Sequence, residues 1–152
     1  MARLGLSGPL ALDANCLSYL LLGHDPAREE KMAAAAREAA SFGMTASALA
    51  LAEVLVEPAK NDSPLRFERV FRAATDSSRF TLVPVDAECA RYAATLRGSF
   101  AIKLPDATVI AAAVLAHADL LLSNDREVVR VAQDYLRAVY FDDWDPEAPE
   151  AG

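Results

Sequence analysis

Five short apolar runs punctuate this chain, and stretches with helical spacing fill the gaps between them. The run ahead of Ser123, Leu120-Leu121-Leu122, is apolar at every position, not at every second one. A strand with one face in water alternates, whereas a strand covered on both faces does not. The other runs are Pro9–Leu12, Gly43–Thr45, Phe80–Val83 and Ala138–Phe141. Strands of this kind alternating with helices predict βαβ units joined by right-handed crossovers. The expected fold class is α/β: a single three-layer α/β/α domain with a five-stranded, mostly parallel sheet. Ligands of such sheets bind beyond the carboxyl ends of the strands, near the reversal of strand order.

Helix signals fit between the runs. A helical pattern follows Asp13 through Leu22 and stops at Gly23. Asp25-Pro26 reads as an N-cap with proline at the first helical position, opening a helix to about Phe42. Further helices are expected over Ala46–Lys60, Pro64–Thr75, Asp86–Arg97, Pro105–His117 and Arg126–Leu136. A length of 152 residues suits one domain with a real core. Residues 1–141 form its body and residues 142–152 an acidic tail.

Cys16 and Cys89 are too few for a disulfide framework and read as reduced core thiols. No run reaches the ~18 apolar residues of a membrane span, and Met1–Gly5 carries no signal-peptide core. A soluble, cytoplasmic protein is expected. The net charge of −7 argues against a generic polyanion binder. Much of it is local: Asp142, Asp143, Asp145, Glu147 and Glu150 lie in the tail, and without those five acids the charge is −2.

Four other carboxylates stand where chemistry is expected. Asp13 ends the first strand and Asp125 follows the fourth, so both fall at the carboxyl edge. If those strands are neighbours, the two acids face each other; each could equally cap the next helix. Asp106, in Leu104-Pro105-Asp106-Ala107, sits in the first turn of an almost wholly apolar helix, where the helix dipole alone favours an acid. Glu53 is the only charge between Thr45 and Val56. Buried without a partner it would cost several kcal/mol, so it faces solvent or meets a cation from elsewhere. Four carboxylates without Cys or His make a hard oxygen site suited to Mg²⁺ or Mn²⁺. The reaction that uses such a cluster is phosphodiester hydrolysis.

These segments resemble the PIN-domain ribonucleases, and within them the VapC-type toxins of bacterial toxin–antitoxin systems. The likeness lies in Leu12-Asp13-Ala14-Asn15-Cys16-Leu17, in Thr45-Ala46-Ser47 followed by Leu51-Ala52-Glu53-Val54, and in Leu104-Pro105-Asp106-Ala107 leading to Leu122-Ser123-Asn124-Asp125. It departs at Ala14, where many members carry a hydroxyl, and at Val128, near which an aromatic is common. The resemblance implies a PIN-like domain with strands one and four adjacent. It also implies an acidic site of Asp13, Glu53, Asp106 and Asp125, with Asn15 and Ser123 as supporting polar groups. An RNA substrate, a cognate antitoxin and a homodimer follow from it too.

Arg97 and Lys103, just before the Asp106 motif, are candidate phosphate contacts. Arg66, Arg69 and Arg72 recur every third residue as a drifting basic stripe. His24 and His117 read as surface or helix-end residues. A haloacid-dehalogenase-type phosphatase would need a second Asp at Asn15, and a receiver domain an acidic pair near the first strand. A catalytically silent PIN-fold module that binds RNA or protein is the other class consistent with the chain.

Overall fold

The computed structural model describes residues 3–150, so the first two residues of the Met1–Gly5 stretch and the last two of the tail lie outside the described residues. Five strands form one sheet: β1 (Leu10–Leu12), β2 (Met44–Ser47), β3 (Phe80–Val83), β4 (Leu120–Ser123) and β5 (Arg137–Tyr140). Their order is β3-β2-β1-β4-β5, and every pairing is parallel. The chain builds outward from β1 to β3, then returns to add β4 on the other side of β1. The reversal of strand order therefore lies between β1 and β4, as expected, with Leu10, Ala11 and Leu12 opposite Leu120, Leu121 and Leu122.

The helices are α1 (Ala14–Leu21), α2 (Pro26–Glu38), α3 (Ala48–Lys60), α4 (Pro64–Thr75), α5 (Ala87–Ser99), α6 (Leu104–Leu115) and α7 (Arg126–Ala132). Strand side chains alternate between faces, and two cores follow. Leu10, Leu12, Leu120 and Leu122 pack with Cys16, Leu17, Met32, Ala50 and Val70 of α1–α4. Ala11 and Leu121 pack with Cys89, Leu96, Ile110 and Val131 of α5–α7. The run Ala107–Ala113 is buried throughout. Its alanines, set against the small Ala11, let α6 lie close on the sheet. Cys16 and Cys89 are buried free thiols, one in each core. Among the described residues no helix is long and apolar enough to cross a membrane.

Boundaries differ from the sequence reading where a hydrogen bond outweighs composition. The helix expected from Ala46 begins at Ala48, because Ser47 ends β2 and caps α3, its hydroxyl accepting from the Ala50 N–H at 2.9 Å. The helix expected to reach Phe42 stops at Glu38; the N–H groups of Phe42 and Gly43 both close onto the Ala39 carbonyl. Gly43 has φ +87°, and a Cβ there would meet the Arg79 carbonyl oxygen at 3.1 Å. The last helix ends at Ala132, not Leu136, where Tyr135 N–H folds back on the Ala132 carbonyl. Gly98 does not end α5, which runs to Ser99.

The junction between the body and the acidic tail packs inward. Phe141 and Trp144 are buried in the core beneath α1 and α2. Lys31 donates to the Phe141 carbonyl and lies over both rings.

Candidate functional site

Two of the four acids are held by strand ends. Asp13 follows β1 directly and is only 5% exposed. Its Oδ1 accepts from the Cys16 N–H at 2.8 Å, capping α1. Its Oδ2 accepts from the Ser123 hydroxyl at 2.6 Å and the Asn124 N–H at 3.0 Å, both at the end of β4. Three donors thus offset the cost of burying this charge. Asp125 caps α7, its Oδ1 accepting from the Glu127 and Val128 N–H groups at 2.9 and 3.3 Å. Its own N–H donates to the Ser123 hydroxyl at 3.1 Å. The helix-cap reading of both acids is thus observed, and it leaves each carboxylate with unused lone pairs.

The other two acids come from helices. Glu53 lies on α3 and Asp106 in the first turn of α6. Neither has a hydrogen-bond or ion-pair partner among the described residues. Glu53 presents its side chain at the exposed rim, yet burial of its carboxyl and the charges of Asp106 and Asp13 hold its pKa above the ordinary range. Asp106 is raised by burial, then by Asp125 and Asp13, against a lowering pull from Lys103. The four carboxylates therefore share one electrostatic neighbourhood at the carboxyl edge of β1 and β4.

Their donor chemistry fits a hard divalent cation: oxygen ligands only, and two acids without an ion pair among the described residues, of which Asp106 stays raised despite the pull of Lys103. They do not form a finished cage. Among the described residues, no three His, Cys, Asp or Glu side chains converge closely enough to hold a metal ion as they stand.

Of the supporting residues, Ser123 is wholly buried with its hydroxyl on Asp13. Lys103 is within charge reach of Asp106. Asn15 on α1 and Arg97 on α5 are exposed, and neither has a hydrogen bond to the acids. Arg66 is committed elsewhere: it pairs with Glu57 at 2.7 Å and donates to the Leu22 carbonyl at 3.1 Å, with His24 Nε2 at 2.7 Å. It pins α4 to the ends of α1 and α3, which breaks the basic stripe.

The sequence reading missed the surroundings of the Asn124 side chain, which meets Tyr19 and Asp142. These partners lie 105 and 18 residues away in the chain, and no local pattern signals them.

The PIN domain profile matches residues 10–134, a span holding all four acids and the first four strands. The chain belongs to the PIN domain family. Its fold is similar to that of a chain in the VapBC2 complex from Rickettsia felis bound to a promoter DNA fragment. That match has TM-score 0.65 at 19% identity and covers 86% of this chain and 97% of that one. A chain of the DNA-bound VapBC from Salmonella typhimurium matches with TM-score 0.66 at 19% identity, covering 87% and 97%. One from FitAcB of Neisseria gonorrhoeae matches with TM-score 0.63 at 18% identity, covering 89% and 99%. At such identities the likeness is one of fold. No curated protein matches the chain by sequence.

Proposed function

We propose that this PIN domain protein is a metal-dependent endoribonuclease, the toxin of a toxin–antitoxin pair, with Asp13, Glu53, Asp106 and Asp125 as its site. The observation that carries the reading is the pair Glu53 and Asp106. Two acids without partners among the described residues, held at raised pKa first by burial and then by neighbouring acids, are an unfavourable arrangement that a bound dication would relieve. Mg²⁺ or Mn²⁺ held by the four carboxylates would supply an activated water and stabilise charge on the phosphate and leaving oxygen. Asp13, fixed by three donors, sets the position of the site against the sheet. Lys103, whose charge acts on Asp106, would contact an RNA phosphate, with Arg97 and Asn15 as further contacts on the exposed rim.

The likeness to chains solved as VapBC and FitAB complexes supports a cognate antitoxin as partner. Exposed Val56, Leu65 and Phe71 on α3 and α4 offer apolar surface for it. A homodimer rests on the family resemblance, and a cytoplasmic location fits two buried free thiols. One observation favours the rival reading, a silent PIN-fold module that binds RNA or protein: no three acids converge among the described residues.

Cleavage of a mixed pool of structured and single-stranded RNA decides between them. The expected result is cleavage with Mn²⁺ or Mg²⁺ that chelator abolishes and that Glu53→Gln and Asp13→Asn lose. Folded, antitoxin-free protein that neither cleaves nor binds metal would give the case to the binding module.

A further inference from the structure

Asn124 is in contact with the site through its backbone alone: its N–H donates to Asp13 Oδ2 at 3.0 Å. Its side chain points into a second set of contacts. Nδ2 donates to the Tyr19 hydroxyl at 2.9 Å and to Asp142 Oδ2 at 3.3 Å, while Oδ1 accepts from the Asp142 N–H at 3.3 Å. Both ends of the amide are therefore engaged, which fixes its orientation.

The far side of this clamp is itself held. Arg28 grips Asp142 with two bonds, Nε to Oδ1 at 3.1 Å and Nη2 to Oδ2 at 2.7 Å. That forked, charge-assisted geometry specifies direction as well as energy. Arg28 Nη1 donates to Asp25 Oδ2 at 3.0 Å, and Asp25 caps α2. The Arg28 guanidinium lies 5.2 Å from the centre of the Tyr19 ring, and Tyr19 packs on buried Phe141 at 5.3 Å. Arg28 and Asp142 keep 38% and 35% of their side-chain surface, so the pair adds little to global stability.

We propose that Asp142, held by Arg28, is a positioning residue that locks the Asn124 peptide and through it the Asp13 carboxylate. The first residue of the acidic tail would then serve the active site from behind. Groups that orient a ligand in this way typically govern activity by about 10–100-fold. The catalytic half of the inference rests on the nuclease reading; the positional half does not.

The test compares Asp142→Ala, Asn124→Ala and their double variant in the full chain, with Asp142→Asn as the milder change. Amide hydrogen exchange at Asn124 reads the position of the peptide whether or not the protein cleaves RNA. Asp142→Ala is expected to speed that exchange about tenfold, with Leu121 of β4 unchanged and kcat down about tenfold at a KM within about twofold. Adding it to Asn124→Ala should lower kcat no further, as for residues acting through one link. Asp142→Asn keeps an acceptor for Asn124 but loses the ion pair, so it should fall between wild type and Asp142→Ala; it carries the test if the alanine variant does not fold. Unchanged exchange at Asn124 overturns the proposal. So does raised exchange with unchanged kcat in a wild type that cleaves, or effects of Asp142→Ala and Asn124→Ala that multiply. A wild type that does not cleave sinks the nuclease reading, and exchange at Asn124 then decides the positional link alone.

Discussion

Asp13 and Glu53 carry the same charge on the same edge of the sheet, but the protein treats them in opposite ways. Asp13 is buried and receives three hydrogen bonds from α1 and the end of β4. Glu53 stands at the rim on α3 with no partner among the described residues, and burial of its carboxyl, then its neighbours Asp106 and Asp13, make its charge harder to hold. The same split separates Asp125, which caps α7, from Asp106, which is pushed up. Strand-borne acids form a fixed frame, whereas helix-borne acids form an unsatisfied half. On the proposed reading, the fixed half belongs to the fold and the helix-borne half is where a cation would bind, which separates stability from function.

That separation can be broken most forcefully at Asp13. Asp13→Ala removes a helix cap and the acceptor that the Ser123 O–H and the Asn124 N–H share, so it should cost about 2–4 kcal/mol in urea unfolding as well as activity. A stability unchanged by this substitution would contradict the fixed frame. Glu53→Gln should do the reverse. RNA cleavage should fall by more than the ~100-fold upper range for a supporting group, with the metal-free melting temperature equal to or above that of the wild type.

The pH response sharpens the contrast. Glu53 and Asp106 have raised pKa values in the folded chain, so the folded state binds their protons more tightly. Metal-free stability should therefore be full below the ordinary carboxylate range and decline as pH rises through their raised values. Asp106→Asn should flatten that decline and lift the melting temperature at neutral pH by roughly 2 °C. Asp142 has the opposite sign: Arg28 holds it low, so its contribution persists above the ordinary carboxylate range and is lost only in stronger acid. The smallest effect is expected at Arg66. Arg66→Ala, away from the acids, should leave cleavage within about twofold while loosening the contact of α4 with α3.

The fixed frame was the legible half. An uninterrupted Leu120–Leu122 run followed by Ser123-Asn124-Asp125 states both a doubly covered strand and the acid at its end. The isolation of Glu53 in an apolar helix marked it as lacking a local partner, and none is present among the described residues. Helix ends were less legible because they depend on single bonds, such as that from Ala50 to Ser47, that compete with alanine-rich composition. The clamp around Asn124 could not be read at all. Tyr19, Arg28 and Asp142 are ordinary surface residues until the fold brings them together.

The most direct test of the proposed metal site is thermal unfolding at neutral pH with and without Mn²⁺, for wild type beside Glu53→Gln. A dication at about 100 times its dissociation constant should raise the wild-type midpoint by roughly 5–10 °C. The variant should start equal or higher and respond by less than about 2 °C. Equal upward shifts in both proteins, or no shift in the wild type, would contradict the account.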